Sequence, residues 1–193
     1  MFNVLLDALP WEWKGYPVDM NFDTGIKITQ CLVDKELKEE ERVSIALWLM
    51  FPEGADLDAN SAAEALRWYL NGWNHDNAKR EKDEAEVMDF DIDQWRIYAA
   101  FRAQYKINLN TAKLHFWEYM GLLSNLSECA FTQVVSIRSK KITGKMYPEE
   151  KNAIAKAKEI YKIKKEDSIQ ETAEERAEDE AALALFNQMR SKS

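Results

Sequence analysis

The chain has 193 residues, 46% of them hydrophobic and 11% aromatic, which is enough apolar mass for a packed core and excludes wholesale disorder. Thirty-four acidic against 26 basic residues leave a formal charge of −8, the wrong sign for a protein held on nucleic acid mainly by phosphate contacts. Six Gly and four Pro disfavour a turn-rich sandwich or barrel and favour helices.

Near the N-terminus, Phe2, Val4 and Leu6 alternate with other residues. Trp11 and Trp13 then alternate with Glu12 and Lys14 ahead of a Lys-Gly turn and Tyr16-Pro17-Val18. Period-2 alternation around a turn predicts a small antiparallel hairpin within residues 1–22, with Pro17 at an edge because it lacks an N–H. From Asp23, an expected N-cap, the period becomes helical through Ile26, Thr29, Val33 and Leu37. A second helix over 38–51 starts with Glu39, Glu40 and Glu41, which suit the positive end of a helix dipole. Its second half is apolar almost all round, so burial at the centre is expected, and Pro52 and Gly54 stop it. Ser61-x-x-Glu64 has capping-box spacing and predicts a third helix with Ala62, Leu66, Tyr69 and Trp73 on one face.

Residues 71–89 are polar without a clear period and read as a surface loop. A fourth helix is expected from Asp91 through Trp95, Ile97, Tyr98, Phe101 and Tyr105, and a fifth carries Leu109, Ala112, Phe116, Met120 and Leu123 in one stripe. A sixth lies near Phe131, Val134, Val135 and Arg138, and Pro148 suits the first position of a seventh. Residues 140–165 are basic, 166–180 acidic with a second capping-box spacing at Ser168-x-x-Glu171, and Ala181 to Met189 is apolar again. The expected architecture is mainly α, a bundle-like helical domain over 23–146 with the N-terminal β-hairpin packed on it and a charged C-terminal helical extension over 147–193.

Patterns that carry chemistry are sparse. Counted from Asp89, the run Asp89-Phe90-Asp91-Ile92-Asp93 has Gln94 and Ala100 where a calcium loop needs Gly and Glu, so it reads as a helix N-terminus favoured by carboxylates. His75 and His115 have no His or Cys partner at zinc spacing. There is no G-x-S-x-G elbow, no G-x-G-x-x-G and no Walker-type loop. These readings predict no catalytic residues, no cofactor and no metal. Cys31 and Cys129 cannot form a framework of several disulfides, so free thiols and a reducing cytoplasm are expected. The N-terminus lacks a signal peptide's basic and long apolar regions, and no run approaches the roughly 20 apolar residues of a membrane span. The Lys-rich stretch from Lys140 reads as a solvated face rather than a nucleic-acid site. Among the tryptophans, Trp48, Trp68, Trp95 and Trp117 fall in apolar helical stripes and are expected in the core. Trp11, Trp13 and Trp73, together with Leu183 and Phe186 of the apolar tip, are the candidate partner-binding residues.

The runs LLDALPWEWKGYPVD (5–19), NGWNHDN (71–77), MDFDIDQWRIYAAFRAQY (88–105), INLN (107–110) and LHFWEYMGLLSNL (114–126) resemble the bacteriophage gene-product-15 family, found in long-tailed phages and prophages of Gram-positive hosts. The resemblance covers residues 1–163. It implies a product of the tail-morphogenesis region, encoded beside the tape-measure protein, where small helical tail assembly chaperones are commonly found. The function expected from it is non-enzymatic assistance of tail assembly in the host cell cytoplasm, by binding the phage tape-measure protein and other tail proteins, with self-association open. A minor structural part of the tail or connector is the alternative.

Overall fold

Lys14 and Gly15 both adopt positive φ, 49° and 86°, the type I′ combination that matches the twist of two antiparallel strands. They join β1 (Glu12–Trp13) to β2 (Tyr16–Pro17), with Trp13 opposite Tyr16 and Glu12 opposite Pro17. Each strand of this two-stranded sheet is an edge, which tolerates Pro17. The earlier alternation at residues 2–6 makes a turn instead of a strand. The Asn3 carbonyl accepts from the N–H groups of Leu6 and Asp7, and the Asp7 carboxylate accepts from the Asn3 N–H. Val4, Leu5 and Leu6 are left exposed.

The computed structural model describes residues 2–73, 87–144 and 146–163. Those residues form seven helices: α1 (Phe22–Val33), α2 (Glu39–Met50), α3 (Ala59–Asn71), α4 (Gln94–Gln104), α5 (Phe116–Ser124), α6 (Ala130–Ser139) and α7 (Pro148–Ile160). The fold is mainly α, as the composition predicts. Several helix starts shift because side chains outside the apolar pattern set them. Asp23 lies inside the first turn of α1, and Asp19 ties its entry by accepting from Asn21 N–H at 3.0 Å and Thr24 Oγ1 at 2.9 Å. Asp58, rather than Ser61, caps α3 by accepting from the Ser61 N–H at 2.7 Å. Asp91 lies in a turn before α4, where Asp89 Oδ1 accepts from the N–H groups of Asp91 and Ile92. Leu109 and Ala112 precede α5, whose start is fixed when the Phe116 N–H donates to Met20 O at 2.6 Å.

The core gathers around α5. Its Phe116 ring stacks on Tyr69 at 5.2 Å, Tyr119 stacks on Phe101 at 5.2 Å, and Trp117 meets Trp68 edge-on at 5.0 Å. Trp117 Nε1 donates to Tyr69 O at 2.7 Å, and the Tyr69 hydroxyl donates to Asp19 O at 2.9 Å, so the polar tips of two buried aromatics are satisfied. Burial, with Asp19 and Asp23 nearby, pushes the Tyr69 phenol well above its ordinary value, so it stays protonated as a donor.

Two tryptophans expected in the core are on the surface. Trp48 is 73% exposed and Trp95 74%. On α2 only Ala46 and Met50 are fully buried, so this helix is not central. It packs on α1 and α3 through one face, and its opposite face carries Ile45 and Trp48 outward. Met1–Tyr161 forms one compact unit, in which α7 packs on α6 through buried Ile154. The second capping-box motif and the acidic stretch 166–180 lie outside the described residues. Among the described residues, no helix is long and apolar enough to cross a membrane.

Candidate functional site

An open cleft of about 1210 Å³ lies where the N-terminal turn faces the end of α3 and one side of α5. Ligand clefts of about 300–1,000 Å³ are typical, so there is room for more than a small molecule. Phe2, Leu6, Leu9, Trp73, Trp117 and Leu122 give it apolar walls. The wall is held rigidly. Trp117 is pinned by its bond to Tyr69 O and by the Phe2 ring at 5.6 Å. Trp73 Nε1 donates to Leu70 O at 3.0 Å, and the Tyr105 hydroxyl donates to Leu122 O at 2.9 Å.

Gly121 lies within α5 and lines this cleft. A glycine inside a helix costs about 1 kcal/mol relative to alanine. Packing requires such a residue at Gly25 and Gly72, where an added Cβ would come within 2.1 Å of the Phe116 and Trp117 rings. At Gly121 an added Cβ meets nothing within 4 Å. The missing side chain therefore leaves open space on this side of the cleft, at a cost to helix stability that no contact among the described residues explains.

Of the candidate binding residues, Trp73 lines the cleft and is half-buried. Trp11 is 49% exposed and sets its ring edge-on to His115 at 5.2 Å. Trp13 is only 5% exposed, packed on Phe51, so it serves the core rather than a partner surface. Leu183, Phe186 and His75 lie outside the described residues. Sequence reasoning missed the cleft residues Phe2, Leu9 and Gly121. The GLL run after Met120 was a signal for the last of these, since glycine falls among the apolar residues Tyr119, Met120, Leu122 and Leu123 of a helix.

A smaller pocket of about 380 Å³ lies among Phe22, Ile26, Phe90, Trp95, Tyr98 and Leu109. Among the described residues, no cluster of His, Cys, Asp and Glu is arranged to hold a metal ion. Asp93, from the acidic run, is fully buried and takes a two-pronged pair from Arg138, at 2.5 and 3.2 Å, plus Arg96 Nη1 at 2.8 Å. The same Arg138 donates through Nε to Tyr161 O at 2.6 Å and through Nη1 to Val87 O at 3.1 Å. One guanidinium thus joins α6, the start of α4 and the end of α7, a structural role for these charges.

His115 is buried and caps α5: its Nδ1 accepts from the Trp117 N–H at 3.1 Å, so Nε2 carries the proton and donates to Pro10 O at 2.8 Å. Burial lowers its pKa from the ordinary value, against smaller opposing effects of the Pro10 bond and Glu118. The unfolded chain then binds a proton that the folded chain refuses. This contribution to stability is complete above about pH 6.5 and is lost as pH falls toward the lower folded value. Urea unfolding from pH 7.5 to 5 is expected to show that loss, and His115→Asn, which can still cap α5, is expected to flatten it.

Residues 4–163 match the family described as Bacteriophage Gp15 protein. The chain belongs to the bacteriophage Gp15 family. The match takes in every described helix and ends just after α7, so the Arg138 network and the cleft lining apart from Phe2 and Asn3 lie within the family region. No curated protein and no solved structure matches the chain.

Proposed function

We propose that this Gp15-family protein is a non-enzymatic phage tail morphogenesis factor, a tail assembly chaperone that binds the tape-measure protein in the host cytoplasm. The observation that carries the reading is the apolar cleft with the unpacked Gly121 in its lining. A tape-measure protein is long and helical, with apolar stretches exposed until the tube encloses it. A cleft with rigid aromatic walls covers such a stretch helix in groove, while the net charge of −8 keeps the pair from aggregating. Release as the tube grows calls for moderate affinity at each site, repeated along the tape measure.

Co-expression with the tape-measure protein is expected to raise its soluble yield and to give a complex in a pull-down; no rise and no complex would sink the reading. The outward Ile45 and Trp48 of α2 and the exposed Trp95 of α4 favour a second reading, a minor structural part of the tail or connector with those rings as packing surfaces. Mass spectrometry of purified virions separates the two, because a chaperone is absent from mature particles and a structural part is present.

A further inference from the structure

We infer that the cleft takes a basic amphipathic helix that crosses α5 at Gly121, and this rests on the reading of the cleft as the partner site. Three observations point to that chemistry. First, among the described residues the charged ones that line the cleft, Asp7 and Glu118, are both acidic. Asp7 uses one carboxylate oxygen on the Asn3 N–H and has acceptor capacity left, while Glu118 is exposed. A cationic side chain is therefore attracted, and an anionic one is repelled by both carboxylates.

Second, the lining residues come from the N-terminal turn, the end of α3, the C-terminus of α4 and α5. None of the described lining residues lies on β1 or β2, so among them an extended peptide finds no strand edge to pair with, whereas a helix with its own backbone bonds satisfied needs none. Third, a glycine lets another backbone approach closely, and Gly121 lines the cleft with open space where its Cβ would be. The occupant is thus a helix with aliphatic residues along one stripe, meeting Trp73, Trp117 and Leu122, and lysine or arginine beside that stripe, meeting Asp7 and Glu118.

The test uses the full chain and two labelled synthetic helices of about 18 residues, roughly 27 Å long, with the same leucine stripe. One is flanked by lysine and the other by glutamate, and binding is read by fluorescence anisotropy. The lysine helix is expected to bind at least tenfold more tightly. Gly121→Trp, which puts an indole into the cleft, is expected to weaken that binding at least tenfold while leaving the thermal midpoint unchanged or higher. Asp7→Asn with Glu118→Gln is expected to erase the preference for lysine, and the charge-matched Glu149→Gln with Glu150→Gln to leave it intact. Equal binding of the two helices, or unchanged binding to Gly121→Trp, overturns the inference. So does a lower thermal midpoint for Gly121→Trp, because it would show that this chain already fills its own cleft. A tape measure that co-purifies equally well with Gly121→Trp leaves the chaperone reading standing and removes the cleft from it. A lysine helix that binds at the cleft while the tape measure does not co-purify does the reverse.

Discussion

Replacing Arg138 by methionine is expected to cost about 3 kcal/mol of unfolding free energy, near the lower end of what breaking a buried ion pair costs. Asp93 is fully buried and Arg138 nearly so, and without the guanidinium the carboxylate keeps, among the described residues, only Arg96 and the Asp89 N–H at 3.1 Å. The carbonyls of Val87 and Tyr161 lose their donor at the same time. Urea denaturation at neutral pH measures the cost. Because the pair is out of water, the loss should persist at high salt, where exposed pairs such as Lys14–Glu64 fade. The double variant Asp93→Leu with Arg138→Met is expected to regain at least half of it, since no buried charge is then left alone. A loss below about 1 kcal/mol for Arg138→Met would place this pair with ordinary surface salt bridges.

That network shows where sequence reasoning stops. Asp93 read as one of three alternating carboxylates at a helix start, and Arg138 as the end of an apolar stripe. Nothing local pairs positions 45 residues apart. What could be read was what the backbone decides nearby: the Lys-Gly hairpin turn, Pro148 opening α7, the apolar face of α3, and the predominance of helix, whereas α1 buries Thr24, Gly25 and Ile28 instead of the expected stripe through Val33, which is exposed. Trp48 and Trp95 went wrong for the opposite reason. An apolar residue on a helix predicts burial only if another element covers that face, and coverage is a property of the whole fold. The cleft was half legible. Trp73 was marked by its place at a helix end, but Phe2 and Leu9 reach the same wall only through the N-terminal turn.

Alanine at three glycines is expected to give changes of opposite sign, and the contrast isolates what the cleft costs the fold. Gly25→Ala should lose about 2 kcal/mol, because the new methyl would collide with Phe116, and overpacking a core costs about 1–3 kcal/mol even with some relaxation. Phe116 is only 1% exposed and stacked on Tyr69, so its ring has no free side to move toward. Gly72→Ala should lose a similar amount against Trp117, which is hemmed in by Phe2, Trp68 and His115 and tied to Tyr69 O. Gly121→Ala should gain about 1 kcal/mol, the ordinary difference between the two residues inside a helix, since its Cβ enters open space. Chemical denaturation of the three single variants measures all of this. A gain at Gly121 beside losses at Gly25 and Gly72 would mean that this glycine is retained against the stability of α5. A loss at Gly121 would mean that something already rests on that face, and the cleft would then belong to the interior of the protein.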